Sequence, residues 1–327
     1  MTNPYDIEEI FPDDAASSVR LPRRQAGNAP QGLAVTLLSD YTLRNRAWLP
    51  SAAIVSLLAE SGVSQASART TISRLARRGV LEGSRHGRHS SYRLTEPAAA
   101  FLAVGGRWVV APTADGLPWD GQWTLVAFSL PKEHSTQRHA LRGQLRWFGF
   151  APLFDGLWIS PRDLSEKVAA QLAQLTPGAI TVFRAQHAEV GAAAPRHPLD
   201  AWDIDGITQQ YSAFIQQWTQ LLPRIRAGQI PGAEAVRART EVMDTYRRLR
   251  VFDPQLPTEL LPAGWKREPA GKLFAAVYDG LAAAAQEHVR AVATDFTGGS
   301  HAEIEAHTVV DLLDGLLEPS RHTASSG

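Results

Sequence analysis

Between Leu49 and Thr95 the apolar residues change from a helical to an alternating period, and that change limits the fold more than any other feature of this sequence. Ala53, Ile54, Leu57 and Leu58 make the apolar stripe of one helix, and Gly62 ends it with a residue that tolerates positive φ. Ser64 is placed to cap a second helix, in which Ala68, Ile72 and Leu75 recur at helical spacing and pack against the first. After Gly79 the run from Val80 to Thr95 alternates about Gly87, with Tyr92 and Leu94 inward and Arg93 outward, which is the period of a hairpin. Two short helices joined by a tight turn and followed by a hairpin are the order of a winged helix-turn-helix.

The charge on this stretch points outward. From Ser61 to Thr95 there are seven arginines (69, 74, 77, 78, 85, 88 and 93) against one acid, Glu82, in a chain whose 33 basic and 33 acidic residues cancel. The outer face of the second helix presents Gln65, Arg69, Thr70, Ser73, Arg74 and Arg77. Guanidinium groups there can bridge guanine edges or phosphates, and the hydroxyls can contact either. Arg69, Thr70 and Arg74 are expected to face bases; Arg77, with Arg85 and Arg88 at the basic hairpin tip, is expected to face phosphate. The alternative is a small helical domain whose charged hairpin serves protein contacts.

The rest of the chain sets the frame. At 327 residues there is room for two or three domains, each with its own core. No apolar run approaches the length that spans a bilayer, and the acidic start of the chain lacks the order of a secretory signal, so a cytoplasmic protein is expected. The absence of cysteine excludes disulfides, thiolate nucleophiles and Cys-ligated zinc. The pattern divides into a disordered arm over 1–30, the winged domain over 31–110, a central domain over 115–195 and a helical domain over 200–318, with a disordered tail from about Ser320.

In the central segment TLVAFSL, from Thr124 to Leu130, reads as a buried strand, and Leu141, Leu145 and Phe148 as one face of a helix. PLFDGLWIS, from Pro152, reads as two strands about the turn Asp155-Gly156. Val168, Leu172 and Leu175 stripe a second helix, and a strand from Ile180 closes a βαββαβ unit of ferredoxin-like order. The class is therefore α+β: an N-terminal winged helix-turn-helix, a central ferredoxin-like domain and a C-terminal all-α domain.

From about Gly32 to about Ala284 the chain resembles the PaaX family, repressors of phenylacetate catabolism. The resemblance rests on the winged segment, on the run WDGQWTLVAFSLPKEHSTQRHALRGQLRWFGFAPLFDGLWISP from Trp119, on LPTELLPAGW from Leu256 to Trp265, and on Tyr246-Arg247-Arg248 before it. It implies a homodimer on double-stranded operator DNA, released by an acyl-CoA effector, with phenylacetyl-CoA as the type case. That family's middle domain is similar to a small dimeric CRISPR nuclease that holds a divalent metal on an acidic residue at the end of its first strand. Here the strand ends Phe128-Ser129-Leu130, and a neutral hydroxyl cannot replace a carboxylate on Mg²⁺. No catalysis and no cofactor are expected.

For such an effector Tyr246, Arg247, Arg248 and Trp265 are the candidate residues, guanidinium forks for phosphates beside aromatic surface. The competing reading is a solvated helix face whose arginines pair with Asp244 and Asp253, and aromatics such as Tyr211, Phe214 and Trp218 that simply fill a core. Neither His134 with His139 nor His301 with His307 has the spacing that places two imidazoles on one helical turn, so no metal site is expected. Two alternatives remain open: a regulator of the same fold with a non-CoA aromatic or secondary-metabolism ligand, and a metal-dependent nuclease using the central domain.

Overall fold

The computed structural model describes residues 30–86, 89–111, 118–164, 166–175, 179–188 and 197–316. The fold is α+β. The described residues gather into two compact units, one of 118–212 and 249–266, the other of 30–111, 213–248 and 267–316. The expected arm, the hairpin bend with Arg88 and the tail from Ser320 lie outside the described residues.

The chain opens with helix α1 (Pro30–Thr42), which is apolar on nearly every side and is accordingly buried on nearly every side. Its burial includes Asp40, only 1% exposed. Strand β1 (Leu49–Pro50) leads into α2 (Ser51–Glu60) and α3 (Gln65–Arg77), and α1 packs against both helices. Strands β2 (Leu81–His86) and β3 (His89–Leu94) form the expected hairpin, and β1 adds to β3 in a three-stranded sheet of order β1-β3-β2. The sequence pattern does not announce β1, since two residues carry no period. Helix α4 (Glu96–Val110) follows, its N-terminus capped by the Thr95 hydroxyl.

The central segment runs β4 (Trp123–Phe128), α5 (Ser135–Trp147), β5 (Ala151–Phe154), β6 (Leu157–Ser160), α6 (Glu166–Leu175) and β7 (Ile180–Ala185), the βαββαβ order read from the sequence. All neighbouring strands are antiparallel in the order β5-β6-β4-β7. Val126 and Trp158 meet Leu141 and Leu145 of α5 and Leu172 of α6 on one face of the sheet. On the opposite face Trp123, Leu153 and Ile159 are covered by Leu199, Trp202 and Leu260. The turn at Gly156 requires glycine twice over. Its φ is 80°, and a Cβ there would stand 2.7 Å from the carbonyl oxygen of Phe128.

The remaining elements are helices: α7 (Ile204–Thr219), α8 (Leu222–Arg226), α9 (Gly232–Phe252), α10 (Arg267–Gly280), α11 (Ala282–Thr297) and α12 (Val309–Asp314). The stripe Ile207, Tyr211, Phe214 and Trp218 is buried along α7, as are Met243, Tyr246 and Leu249 along α9. Helix α11 packs on α2, where the carboxylate of Glu60 takes up His288 Nε2 at 2.9 Å, and α12 packs on α4. No helix among the described residues is long and apolar enough to cross a membrane.

Candidate nucleic-acid interface

Helix α3 is built to show one face. Ser64 caps it, its Oγ accepting from the Ser67 amide at 3.2 Å, and Gly62 makes the preceding turn with φ of 82°. Ala68, Ile72 and Leu75 are buried as their spacing requires, and Thr71 joins them at 4% exposure. The hydroxyl of Thr71 hides that role in the sequence, while its methyl group suits an interior position. Gln65, Arg69, Thr70, Ser73, Arg74 and Arg77 all stand exposed on the rest of the helix, so the structure brings together six of the residues singled out in the sequence.

Few of these groups are used up internally. Arg69 donates to Gln65 Oε1 at 3.2 Å, and the Thr70 hydroxyl donates to the Ala66 carbonyl at 2.9 Å, leaving its lone pairs. Arg74 and Arg77 have no side-chain partner among the described residues. Arg85 is exposed on β2, and Arg88 lies outside the described residues. Arg93 behaves differently. It is half-buried, donates to Glu82 at 2.6 Å and lies over the Trp48 ring at 4.4 Å. Arg46, which the sequence pattern did not single out, donates to the same Glu82 oxygen at 2.6 Å. The one acid of the segment is thus held by two guanidiniums at the hairpin base, and a surface pair of this kind contributes about 0–1 kcal/mol. Its consequence is geometric: Glu82 is occupied away from the outer face of α3.

The effector candidates are placed less simply. Tyr246 is buried, stacked on Phe274 with centroids 4.2 Å apart and tilted against Phe214. Arg247 donates to Asp244 at 2.9 Å, and exposed Arg248 stands 3.8 Å from the other Asp244 oxygen. Burial, with Arg248 beside it, lowers the Arg247 pKa to about 10. Trp265 belongs to the other compact unit, where it meets Tyr211 edge to face, while Asp253 accepts from the Tyr211 hydroxyl at 2.6 Å. Ser129 sits exposed after β4, and among the described residues no group of three or more His, Asp or Glu side chains is arranged to hold a metal.

Comparison with known proteins follows the same divisions. Residues 29–98 match the family described as PaaX-like protein, 116–196 the PaaX protein central Cas2-like domain, and 202–291 the PaaX-like protein C-terminal domain. The transcriptional repressor PaaX of Escherichia coli (strain K12) is 31% identical over 246 residues, covering 73% of this chain and 75% of that protein. This chain belongs to the PaaX family. Among solved structures, the uncharacterized protein Rv0674 from Mycobacterium tuberculosis superposes with a TM-score of 0.52 at 22% identity, over 81% of this chain and 98% of that one, a likeness of fold. The Cas2-like match falls on the βαββαβ segment, and the PaaX-like match at 29–98 takes in α1, α2, α3 and the hairpin.

Proposed function

We propose that this chain is a cytoplasmic, non-enzymatic transcriptional repressor of PaaX type that reads duplex operator DNA with a winged helix-turn-helix formed by α2, α3 and the β2–β3 hairpin. The observation that carries the reading is the outer face of α3, where Gln65, Arg69, Thr70, Ser73, Arg74 and Arg77 are all exposed. A helix of this kind lies in the major groove, and a basic hairpin beside it follows the phosphates. A homodimer would set two such helices on a near-palindromic site. Membership of a family that includes the E. coli repressor supports this over a protein-contact module.

The effector is an aryl-CoA or other acyl-CoA whose binding releases the operator, with Tyr246, Arg247, Arg248 and Trp265 as the groups to test. Arg248, exposed and only loosely paired, is the guanidinium that a phosphate tail can reach without breaking a close contact. The test is a mobility shift on the DNA upstream of the chain's own gene, at two salt concentrations, with and without phenylacetyl-CoA. Selective, salt-sensitive binding released by the thioester is expected. Selective binding unaffected by it keeps the repressor and discards this effector, and the absence of selective binding overturns the DNA-binding reading.

A further inference from the structure

The core of the larger unit contains a charged group that the apolar pattern of its helix does not call for. Along α9 the buried positions run Ala235, Val236, Val242, Met243 and Tyr246, and Arg239 stands in the middle of that stripe, 0% exposed. Its guanidinium donates to the backbone carbonyls of Tyr278 on α10 and His307 just before α12. It lies 3.6 Å from the centre of the Tyr278 ring, a close cation–π contact. Burial works against its charge, but Tyr278, Tyr41, Asp40 and Asp279 around it raise its pKa, so it stays charged.

Beside it runs a chain of three side chains from separate elements. The Tyr278 hydroxyl donates to Asp40 Oδ1 of α1 at 2.8 Å and lies 2.9 Å from His307 Nε2. Asp40 and His307 are 1% and 2% exposed. Asp40 Oδ2, Tyr41 Oη, Arg239 Nε and His307 Nδ1 are buried without a hydrogen-bond partner among the described residues. Burial raises the Asp40 carboxyl to about 6, against the opposing pull of Arg239 and the Tyr278 hydroxyl, and burial with Arg239 lowers His307 to about 3.

A tyrosine hydroxyl has one proton, so the two ends of this chain are not independent. With Asp40 ionised, Tyr278 donates to it and His307 supplies the proton at Nε2. With Asp40 protonated, the carboxyl donates to Tyr278, which turns its own proton to His307 Nε2. The imidazole then carries its hydrogen on Nδ1, an atom with no partner, and the attraction between Asp40 and Arg239 is lost. One proton therefore reverses every bond in the chain. Asp40 and Tyr41 belong to α1, which packs directly against α3, and the Tyr41 carbonyl accepts from the Glu305 amide at 3.0 Å.

We propose that Arg239 and the chain Asp40–Tyr278–His307 are a positioning device, responsive to one proton, that holds α1 and through it the DNA-reading helix α3 in place from the interior of the unit. The groups facing Asp40 are Tyr41 on its own helix, Arg239 on α9, Tyr278 on α10 and His307 before α12; Asp279 acts on Arg239, and Asp311 and Arg44 act on His307. Burial makes Asp40 easier to protonate in place than in a loosened chain, so the protonated carboxyl holds α1, and ionisation leaves a buried charge with one oxygen unpaired and loosens it. Operator binding then weakens as the pH rises through about 6. Histidines at the DNA surface give the same sign, since they are cationic and bind phosphate better at low pH, and the test must remove them.

The inference rests on the DNA-binding reading, and the test separates the two. Operator affinity of the full chain is measured by fluorescence anisotropy from pH 5 to 8 at fixed ionic strength, in a His86→Gln, His89→Gln background that removes the hairpin imidazoles. From pH 5 to pH 7 the parent chain is expected to lose about fivefold more affinity than the Asp40→Asn variant, the lower end of ordinary coupling between sites. Identical profiles for the two chains overturn the proposal. Should Asn at position 40 prevent folding, Tyr278→Phe keeps the ring stack without the hydroxyl and is held to the same standard. Hydrogen exchange of the α1 and α3 amides without DNA, corrected for the intrinsic effect of pH, should speed up from pH 7 to pH 5 more in Asp40→Asn than in the parent chain, because only the parent gains a stabilising proton on Asp40. Equal exchange with and without Asp40 overturns the proposal. An exchange difference in a chain that binds no DNA sequence overturns the repressor reading alone.

Discussion

Arginine does opposite work in two parts of this unit. On α3 the guanidiniums of Arg69, Arg74 and Arg77 are exposed, whereas Arg239 on α9 is sealed from solvent and spends its donors on two backbone carbonyls. The first set loses little by lacking internal partners, because water satisfies it until a ligand arrives. The second would be ruinous without partners, since a buried charge must be paired or hydrogen-bonded. The same side chain therefore reports binding when it is exposed and architecture when it is enclosed, and the contrast can be pressed from both sides.

The largest effect is expected inside. Arg239→Ala leaves two buried carbonyls and a buried carboxylate without their donor or countercharge, and should cost about 3–5 kcal/mol of stability in denaturant unfolding. A loss below about 1 kcal/mol would mean that Arg239 is no more demanding than an exposed arginine. Next comes the pH dependence of that stability. Asp40, raised to about 6, contributes stability that is full below its ordinary 3.8 and is lost as the pH rises through 6; His307, lowered to about 3, contributes stability that is full above 6.5 and is lost as the pH falls toward 3. Between about pH 4 and 6 the two nearly cancel, because the folded state holds a proton on Asp40 while the unfolded state holds one on His307. Asp40→Asn should unmask the histidine, so that lowering the pH from 7 to 4 costs this variant about 2 kcal/mol more than it costs the parent chain. Parallel curves for the two chains would contradict the assignment.

The outer face should behave in the reverse way, with binding affected and stability spared. Arg69→Ala is expected to cost about 1–3 kcal/mol of operator binding and to relax sequence preference, with unfolding unchanged within about 0.5 kcal/mol. The smallest effect belongs to Arg88→Ala, which should weaken all sequences alike and reduce the salt slope by about one. Sequence-blind losses of equal size at Arg69 and Arg88 would erase the division between base-facing and phosphate-facing groups.

How far the sequence could be read depended on whether an element has a period. Helix α3 and the hairpin were legible because their buried residues recur at fixed spacing and leave the charged ones outside. The βαββαβ unit was legible for the same reason, helped by the Asp155-Gly156 turn. Strand β1 has no period, and Arg46 pairs with Glu82 only because the chain returns to the hairpin base from a distance. The chain from Asp40 through Tyr278 to His307 was illegible for a stronger reason: its members come from three separate segments, and each alone looks like an ordinary polar residue. Arg239 carried the one available signal, a charge standing where the apolar stripe of α9 demands a hydrophobic residue. The effector candidates Tyr246, Arg247, Arg248 and Trp265 show the limit of adjacency, since their neighbourhood in sequence did not place all four in one compact unit.

The bond from the Glu305 amide to the Tyr41 carbonyl bears on the order in which the protein is made. Helix α1 leaves the ribosome well before the groups that hold it, the carbonyl of His307 on Arg239 and the amide of Glu305, which are synthesised more than 200 residues later. The proposed reading face of α3 is therefore complete in sequence before its clasp exists, so a nascent or prematurely terminated chain carries every residue of that face without the groups proposed to set it in register.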